Sequence, residues 1–141
     1  MGVTVMRLRK ALARLLTRER VCRVATVGQD GMPHVVPVCY VWVDGKVCFG
    51  TGSGSQKVRN LQADPHVAVL VDLYSEDWNF IKGVMLQGTA RLIHRGPAFR
   101  KIRTLLYRKY PQYPDEAGLE EADSMIVEMT PTRVSSWDVD E

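Results

Sequence analysis

The sequence is poor in the residues that bind metals or form disulfides. It contains three cysteines and three histidines among 141 residues, and no Cys-x-x-Cys pair occurs. The histidines do not fall at helical or zinc-ribbon spacing with the cysteines, so no metal site is expected. An odd, widely spaced set of cysteines is typical of reduced thiols in the cytoplasm. The composition therefore predicts a cytoplasmic protein.

Long uncharged runs and a strong net charge are also missing. The longest uncharged stretch, Gly31 to Val43, is too short to cross a bilayer and is broken by two prolines. The first twenty residues carry basic side chains and no apolar stretch, so they do not form a secretory signal. A formal charge of +3 suits an anionic small ligand as well as weak nucleic-acid contact. The basic third helix has no aromatic stacking set, so we expect neither nucleic acid nor a membrane as a partner.

The length predicts one domain covering residues 1–141. Leucines at helical spacing predict an amphipathic helix within residues 1–20, with Thr4 as a candidate cap. A second helix is predicted at Gln56–Ala63, because Pro65 cannot continue it. A third is predicted over residues 97–110, between two prolines.

The remaining segments are rich in β-branched residues and predict about six strands. They are Arg23–Val27, His34–Val43, Lys46–Thr51, Val67–Leu73, Gly83–His94 and a closing region that breaks at Thr130-Pro131, with Met125–Met129 before the break and Arg133–Trp137 after it. Short turns join most of them, so a mainly β fold is predicted, an antiparallel barrel with peripheral helices. A tight first turn at Asp30-Gly31 would place Cys22 opposite Cys39, and a longer loop would not.

The segment Phe49–Lys57 has the features of a phosphate site. It leaves a strand, crosses three glycines and enters a helix. Glycines let backbone N–H groups approach a ligand, and a helix N-terminus adds unpaired N–H donors with partial positive charge. Hydroxyls of Thr51, Ser53 and Ser55 and the Lys57 ammonium supply further donors. A flexible loop in which Ser55 merely caps the helix fits the same residues.

Two other phosphate motifs fit less well. No Gly-Lys-Ser/Thr ends the segment, so it is not a P-loop. Ser55 stands where a dinucleotide fingerprint needs its last glycine, although Asp72 falls at the spacing of that motif's acid. Arg23 opens the first strand and is suited to bidentate phosphate binding. A strand-end charge facing water is the alternative interpretation of Arg23.

Six fragments, in order and spacing, resemble the pyridoxamine 5′-phosphate oxidase-like family. They are Arg23-Val24-Ala25-Thr26-Val27, Asp30-Gly31-Met32-Pro33-His34-Val35-Val36-Pro37-Val38, Thr51-x-x-x-Ser55-x-Lys57, Asn60-Leu61-x-x-Asp64-Pro65, Gly88-Thr89-Ala90-Arg91-Leu92 and Thr130-Pro131-Thr132-Arg133-Val134-x-x-Trp137. The match is dense from Val21 to Leu92 and looser elsewhere. The resemblance implies a six-stranded split barrel that forms a homodimer and binds FMN at the subunit interface.

The resemblance also implies a role for each matching residue. Arg23 and Lys57 would hold the phosphate, together with Ser55 and Gln56. The backbone of Val24, Ala25 and Thr26 would line one side of the isoalloxazine ring, and Gly50 and Thr51 would contact its other side. Trp137 would lie beside the flavin of the partner subunit. A hydrophobic plug sealing the barrel is the alternative for Trp137. Two positions depart from the family: Gly83 replaces a glutamine near the flavin, and Gln56 replaces a residue that is often arginine.

The expected function is an FMN-dependent oxidoreductase that transfers hydride between flavin and a small substrate. No residue stands out as a nucleophile or an acid–base pair, which fits chemistry carried by a cofactor. The Arg-x-His pair with which the vitamin B6 oxidases grip substrate has no counterpart here, so vitamin B6 oxidation is not expected. The resemblance extends to F420-dependent reductases and to haem proteins. A flavin-binding carrier or redox sensor without turnover is a further alternative.

Overall fold

The computed structural model describes residues 8–139 of the chain. The helices are α1 (Lys10–Arg18), α2 (Gln56–Ala63), α3 (Pro97–Lys109) and α4 (Tyr113–Ala117), with a 3-10 turn at Trp78–Phe80. The strands are β1 (Cys22–Val27), β2 (Pro33–Val38), β3 (Val41–Val43), β4 (Lys46–Gly52), β5 (His66–Leu73), β6 (Lys82–Ile93) and β7 (Ser124–Trp137). None of these helices combines the length and apolar character needed to cross a membrane. The candidate cap Thr4 lies outside the described residues.

The seven strands form one antiparallel sheet in the order β2-β1-β5-β6-β7-β4-β3. The two strands at the ends of this order, β2 and β3, are separated in sequence only by Cys39 and Tyr40. Three Cα steps span at most about 11 Å, so the sheet must curl until its two ends meet. The predicted mainly β antiparallel barrel is therefore confirmed. Seven strands replace six because the predicted His34–Val43 strand breaks at Cys39 and Tyr40.

Side chains at the C-terminal end of α3 hold this break between β2 and β3 in place. The Lys109 ammonium donates to the carbonyl oxygens of Glu19 at 2.7 Å and Tyr40 at 3.0 Å. The neighbouring Tyr110 hydroxyl donates to the Arg20 carbonyl at 2.7 Å and accepts from the Tyr40 backbone N–H at 3.2 Å. Burial lowers the pKa of Lys109 from 10.5 to about 8. The bend is thus fixed by residues about seventy positions away in the sequence.

The last strand differs from the prediction. The predicted break at Thr130-Pro131 is wrong, because β7 is continuous through it and pairs with β6 on both sides. The register shifts between Gln87 and Gly88, and Gly88 lies opposite Pro131. A β-bulge accommodates a proline that cannot donate to the ladder. A Cβ at Gly88 would lie 2.0 Å from the Thr130 carbonyl oxygen, so this bulge requires glycine.

The first hairpin has the longer of the two loops considered for it. Strand β1 ends at Val27 and strand β2 begins at Pro33, so five residues form the loop between them. In the resulting register Cys22 pairs with Val38 and not with Cys39. Gly31 takes a positive φ of 82° in the connecting loop. All three cysteines are free thiols, and burial raises the pKa of Cys22 to about 12.

The core divides the sheet into two faces. Val24, Val69 and Leu86 lie side by side on neighbouring strands and are completely buried, with the leucines of α1 packed in the same cluster. Because side chains alternate along a strand, their neighbours in sequence project from the opposite face, called here the outer face. A second cluster forms where α3 packs its buried side chains Phe99, Ile102 and Leu106 around Ile126.

Candidate functional site

The glycine-rich loop lies between β4 and the first turn of α2. The Ser55 hydroxyl caps α2 by accepting a hydrogen bond from the Val58 N–H at 3.4 Å. The Thr51 hydroxyl donates to the same Ser55 oxygen at 3.2 Å. The Ser53 N–H is fixed to the Asp123 carbonyl at 2.9 Å, at the entrance to β7. The structure thus brings Thr51 and Ser55 together at the start of a helix.

The glycines of this loop differ in what surrounds them. A Cβ added at Gly52 or Gly54 meets nothing within 4 Å, and neither residue has a positive φ. The fold itself does not require glycine at these two positions, whereas close approach of a ligand to the backbone does. A Cβ at Gly50 would lie 2.7 Å from the Leu119 side chain. Leu119 therefore packs directly against the Gly50 backbone, and only that backbone could contact a ligand.

Lys57 supplies a cation at this helix start. It lies in the first turn of α2, is partly buried, and makes no ion pair or side-chain hydrogen bond within residues 8–139. Burial without a partner lowers the pKa of its ammonium group. A partly desolvated cation without a counter-ion is unfavourable, and it lies where the partial positive charge of the helix N-terminus also attracts anions. The arrangement suits a bound anion.

A buried amide connects the helix to β1. The Gln56 amide nitrogen donates to the Asn60 amide oxygen at 2.8 Å, and the Asn60 amide nitrogen donates to the Thr26 hydroxyl at 3.0 Å. Thr26 and Asn60 are almost completely buried, at 1% and 3% exposure. Gln56 also accepts from the Arg59 guanidinium at 2.7 Å. Asn60 was not among the predicted site residues, although it lies in one of the family-like fragments.

An outer groove of about 430 Å³ crosses the sheet beside this connection. Its lining includes the small residues Ala25, Ala68 and Gly88, with polar side chains from Gln87, Thr132 and Arg133. Ala25 pairs directly with Ala68, so two small residues lie side by side across neighbouring strands. Among the residues predicted to line a flavin ring, Ala25 and Thr26 line this groove, and the Val24 side chain points into the core.

Arg23 is not joined to the glycine-rich loop. Its guanidinium binds the Asp72 carboxylate across β1 and β5 at 2.9 Å, with both side chains partly exposed. No hydrogen bond within residues 8–139 links Arg23 to the segment Thr51–Lys57. An exposed ion pair contributes about 0–1 kcal/mol, so releasing Arg23 to another anion costs little. Asp72 was considered only as a dinucleotide-motif acid, and its position opposite Arg23 depends on strand pairing.

Trp137 lies on the outer face of its own chain and does not plug the barrel. It is the last residue of β7 and pairs with Gly83 of β6, which pairs in turn with Asp72. A Cβ at Gly83 would lie 2.3 Å from Cζ2 of the indole, so the ring rests directly on the glycine backbone. The indole remains 40% exposed. Glycine at position 83 therefore leaves the space that the tryptophan ring occupies.

An antiparallel barrel with one helix inserted after a glycine-rich strand end defines the split-barrel class. The family model described as pyridoxamine 5′-phosphate oxidase matches residues 8–138. The chain belongs to this family, and the resemblance found in its sequence is confirmed.

Three known proteins are similar to this chain. The 5a,11a-dehydrotetracycline/5a,11a-dehydrooxytetracycline reductase of Streptomyces rimosus subsp. rimosus is 28% identical over 123 residues, covering 84% of this chain and 74% of the reductase. A solved F420 reductase has a TM-score of 0.72 at 26% identity, covering 91% of this chain and 98% of its own. A conserved hypothetical protein from Mycobacterium tuberculosis has a TM-score of 0.80 at 24% identity, covering 95% and 86% of the two chains.

Proposed function

We propose that the protein is an oxidoreductase that binds FMN and transfers hydride between the flavin and a small substrate. The observation that carries this proposal is the partly buried Lys57 ammonium at the start of α2, which has no ion-pair partner among residues 8–139. It follows a loop in which Gly52 and Gly54 leave the backbone open to a ligand. An oxidoreductase of this family needs an anchor for a phosphorylated cofactor, and this loop has the donors for one.

Two sets of residues would contact such a cofactor, one at its phosphate and one at its ring. Lys57, the Ser55 hydroxyl and the N–H groups of the first turn of α2 would hold the phosphate. The β1 backbone at Ala25 and Thr26 would line the ring, in or beside the outer groove. The cofactor supplies the hydride chemistry. The Asn60 bridge between Gln56 and Thr26 keeps these two sets at a fixed separation.

F420 is the alternative cofactor, and one similar structure favours it, because that structure is named an F420 reductase. A phosphate-bearing deazaflavin would use the same cationic loop, so the geometry of the loop does not choose between the two cofactors. A flavin-binding carrier or redox sensor would use it as well.

The proposal includes a homodimer. The loop side of the first hairpin exposes three apolar side chains: Val27 at 39%, Met32 at 66% and Val35 at 65%. Exposed apolar residues grouped on one hairpin favour contact with another protein surface. A second copy seated there would lie close to the groove lined by Ala25 and Val27.

The cofactor is tested by titrating the purified chain with FMN, riboflavin and F420 and recording visible spectra. Tight binding of FMN with weaker binding of riboflavin supports the proposal, and preference for F420 selects the alternative cofactor. A Soret band in the protein as purified, with no response to either cofactor, would refute a flavin role. An enzyme is distinguished from a carrier by reducing the bound flavin with NAD(P)H and asking whether a substrate reoxidises it faster than it reoxidises free FMN.

Light scattering with and without cofactor tests the homodimer, and a monomer that holds the cofactor tightly would refute it.

A further inference from the structure

The β-bulge beside Gly88 directs two consecutive side chains of β7 into the outer groove. Gln87 of β6 lies opposite Arg133. The next residue, Gly88, lies opposite Pro131, so Thr132 is an extra residue without a partner on β6. Consecutive residues of a regular strand project to opposite faces, yet Thr132 and Arg133 both line the groove. Bulges re-aim side chains and are frequent beside active sites. The direction of Arg133 is therefore a property of the bulge.

The groove carries one permanent charge, and this charge is positive. Among the lining residues, all within the described part of the chain, Arg133 is the only arginine or lysine, and none is an aspartate or glutamate. Arg133 is exposed and makes no ion pair or side-chain hydrogen bond within residues 8–139. The other two arginines of the described strands are both neutralised: Arg23 pairs with Asp72 at 2.9 Å, and Arg91 pairs with Glu128 at 3.3 Å. Arg133 is thus available to an anion from outside this part of the chain.

His66 lines the same groove without adding net charge to it. Its ring nitrogen Nδ1 lies 2.7 Å from the Asp64 carboxylate, which also accepts from the His66 backbone N–H at 3.0 Å. This carboxylate offsets the charge of a protonated His66. The side chains of Gln87 and Thr89 add neutral polar groups. The groove therefore combines one cation with neutral hydrogen-bonding groups above a floor of small residues.

Strand register places Arg133 beside the proposed position of the cofactor ring. Four residues lie side by side on the neighbouring strands β1, β5, β6 and β7: Ala25, Ala68, Gln87 and Arg133. Neighbouring strands are about 4.8 Å apart, so the row from Ala25 to Arg133 is roughly 14 Å long. Both ends of this row line the groove, and Ala25 is a proposed contact of the ring. A molecule held in the groove by Arg133 would therefore lie next to the ring.

We propose that the outer groove binds the substrate beside the cofactor ring, and that this substrate carries a carboxylate bound by Arg133. The proposal rests on the proposed function, because it assigns the substrate class of that oxidoreductase. A guanidinium and a carboxylate match in planar geometry and form two parallel hydrogen bonds. One cation also matches the single negative charge of a carboxylate, whereas a phosphate group carries up to two charges.

The test compares two probes of the same size, trans-2-hexenoate and its uncharged amide trans-2-hexenamide, by calorimetry with the full chain. Both are titrated with and without saturating FMN. We expect hexenoate to bind roughly tenfold more tightly in both conditions, because only hexenoate makes a charge-assisted contact with Arg133. Arg133→Met should remove this difference. The matched control Arg14→Met removes an exposed arginine of α1 that also lacks a side-chain partner within residues 8–139, and it should bind both probes like the wild type.

Three results would overturn the carboxylate site. The first is equal binding of the two probes by the wild type, or an unchanged preference in Arg133→Met. The second is a change of oligomeric mass in Arg133→Met, which would assign the arginine to a contact between subunits. The third is hexyl phosphate that binds more tightly than hexenoate and loses this affinity in Arg133→Met, which would assign the arginine to phosphate esters.

Cofactor titrations of the same proteins separate this proposal from the proposed function. Arg133→Met should keep the wild-type affinity for FMN, because Arg133 is assigned to the substrate and not to the cofactor. A chain that binds neither FMN nor F420 but prefers hexenoate through Arg133 would refute the proposed function and keep the carboxylate site.

Discussion

Replacing Lys57 with alanine should weaken FMN binding much more than riboflavin binding. The two ligands share the flavin ring and differ in the phosphate, so their ratio isolates the contact that Lys57 is proposed to make. Lys57 has no side-chain partner within residues 8–139. Its removal therefore breaks no side-chain hydrogen bond or ion pair of that part of the fold, and the loss of its charge should act on the ligand.

The magnitude follows from the kind of contact. A hydrogen bond to a charged group contributes about 1.5–3 kcal/mol. Since each 1.4 kcal/mol is tenfold in affinity, Lys57→Ala should raise the Kd of FMN about ten- to a hundredfold. Riboflavin has no phosphate, so its Kd should change less than about twofold by the same argument.

Fluorescence titration of apoprotein with each flavin measures both constants. Lys101→Ala is the matched control: it also removes one positive charge, but from α3, where Lys101 pairs with the exposed Asp44 at 3.1 Å. This control should bind both flavins like the wild type. Equal losses for FMN and riboflavin in Lys57→Ala would show that the lysine supports the fold, and the phosphate assignment would then be wrong.

Three further predictions concern stability and are read from urea unfolding. Asn60→Ala leaves the buried Thr26 hydroxyl without its donor and should lower the free energy of unfolding by about 1–3 kcal/mol. Gly88→Ala forces a Cβ against the backbone of Thr130 and should lower the free energy of unfolding by about 1–3 kcal/mol or more. The control Gly54→Ala places its Cβ in open space and should leave the free energy of unfolding nearly unchanged. Between pH 8 and 10.5, folded Lys109 binds fewer protons than unfolded Lys109, so wild-type stability should rise with pH relative to Lys109→Met. A flat or falling difference over that window would contradict the lowered pKa.

Local sequence features predicted much of the barrel because they act over short distances. The turn at Asp44-Gly45 joins β3 and β4, with positive φ at both residues. Helix α2 begins after its serine cap and ends before the Asp64-Pro65 pair. Thr51 and Ser55 meet because only three residues lie between them. Each of these features is decided by neighbouring residues.

The features that sequence reasoning missed depend on residues far apart in the chain. The break at Cys39 and Tyr40 is held by Tyr110, and the continuity of β7 through Pro131 depends on a bulge at Gly88. The pairing of Arg23 with a carboxylate 49 positions away cannot be read from its own strand. Helix packing decides the first of these features and strand register decides the other two, and both belong to the assembled fold.

Strand β7 runs from the glycine-rich loop to the exposed Trp137. Its first residue, Ser124, lies opposite Gly52 beside that loop, and its last, Trp137, lies opposite Gly83. These two ends are roughly 40 Å apart along the strand. A slip of the whole strand by one residue would turn the indole to the other face and change the partner of Gly52 at the same time. The place of the indole and the place of the loop therefore depend on a single strand register.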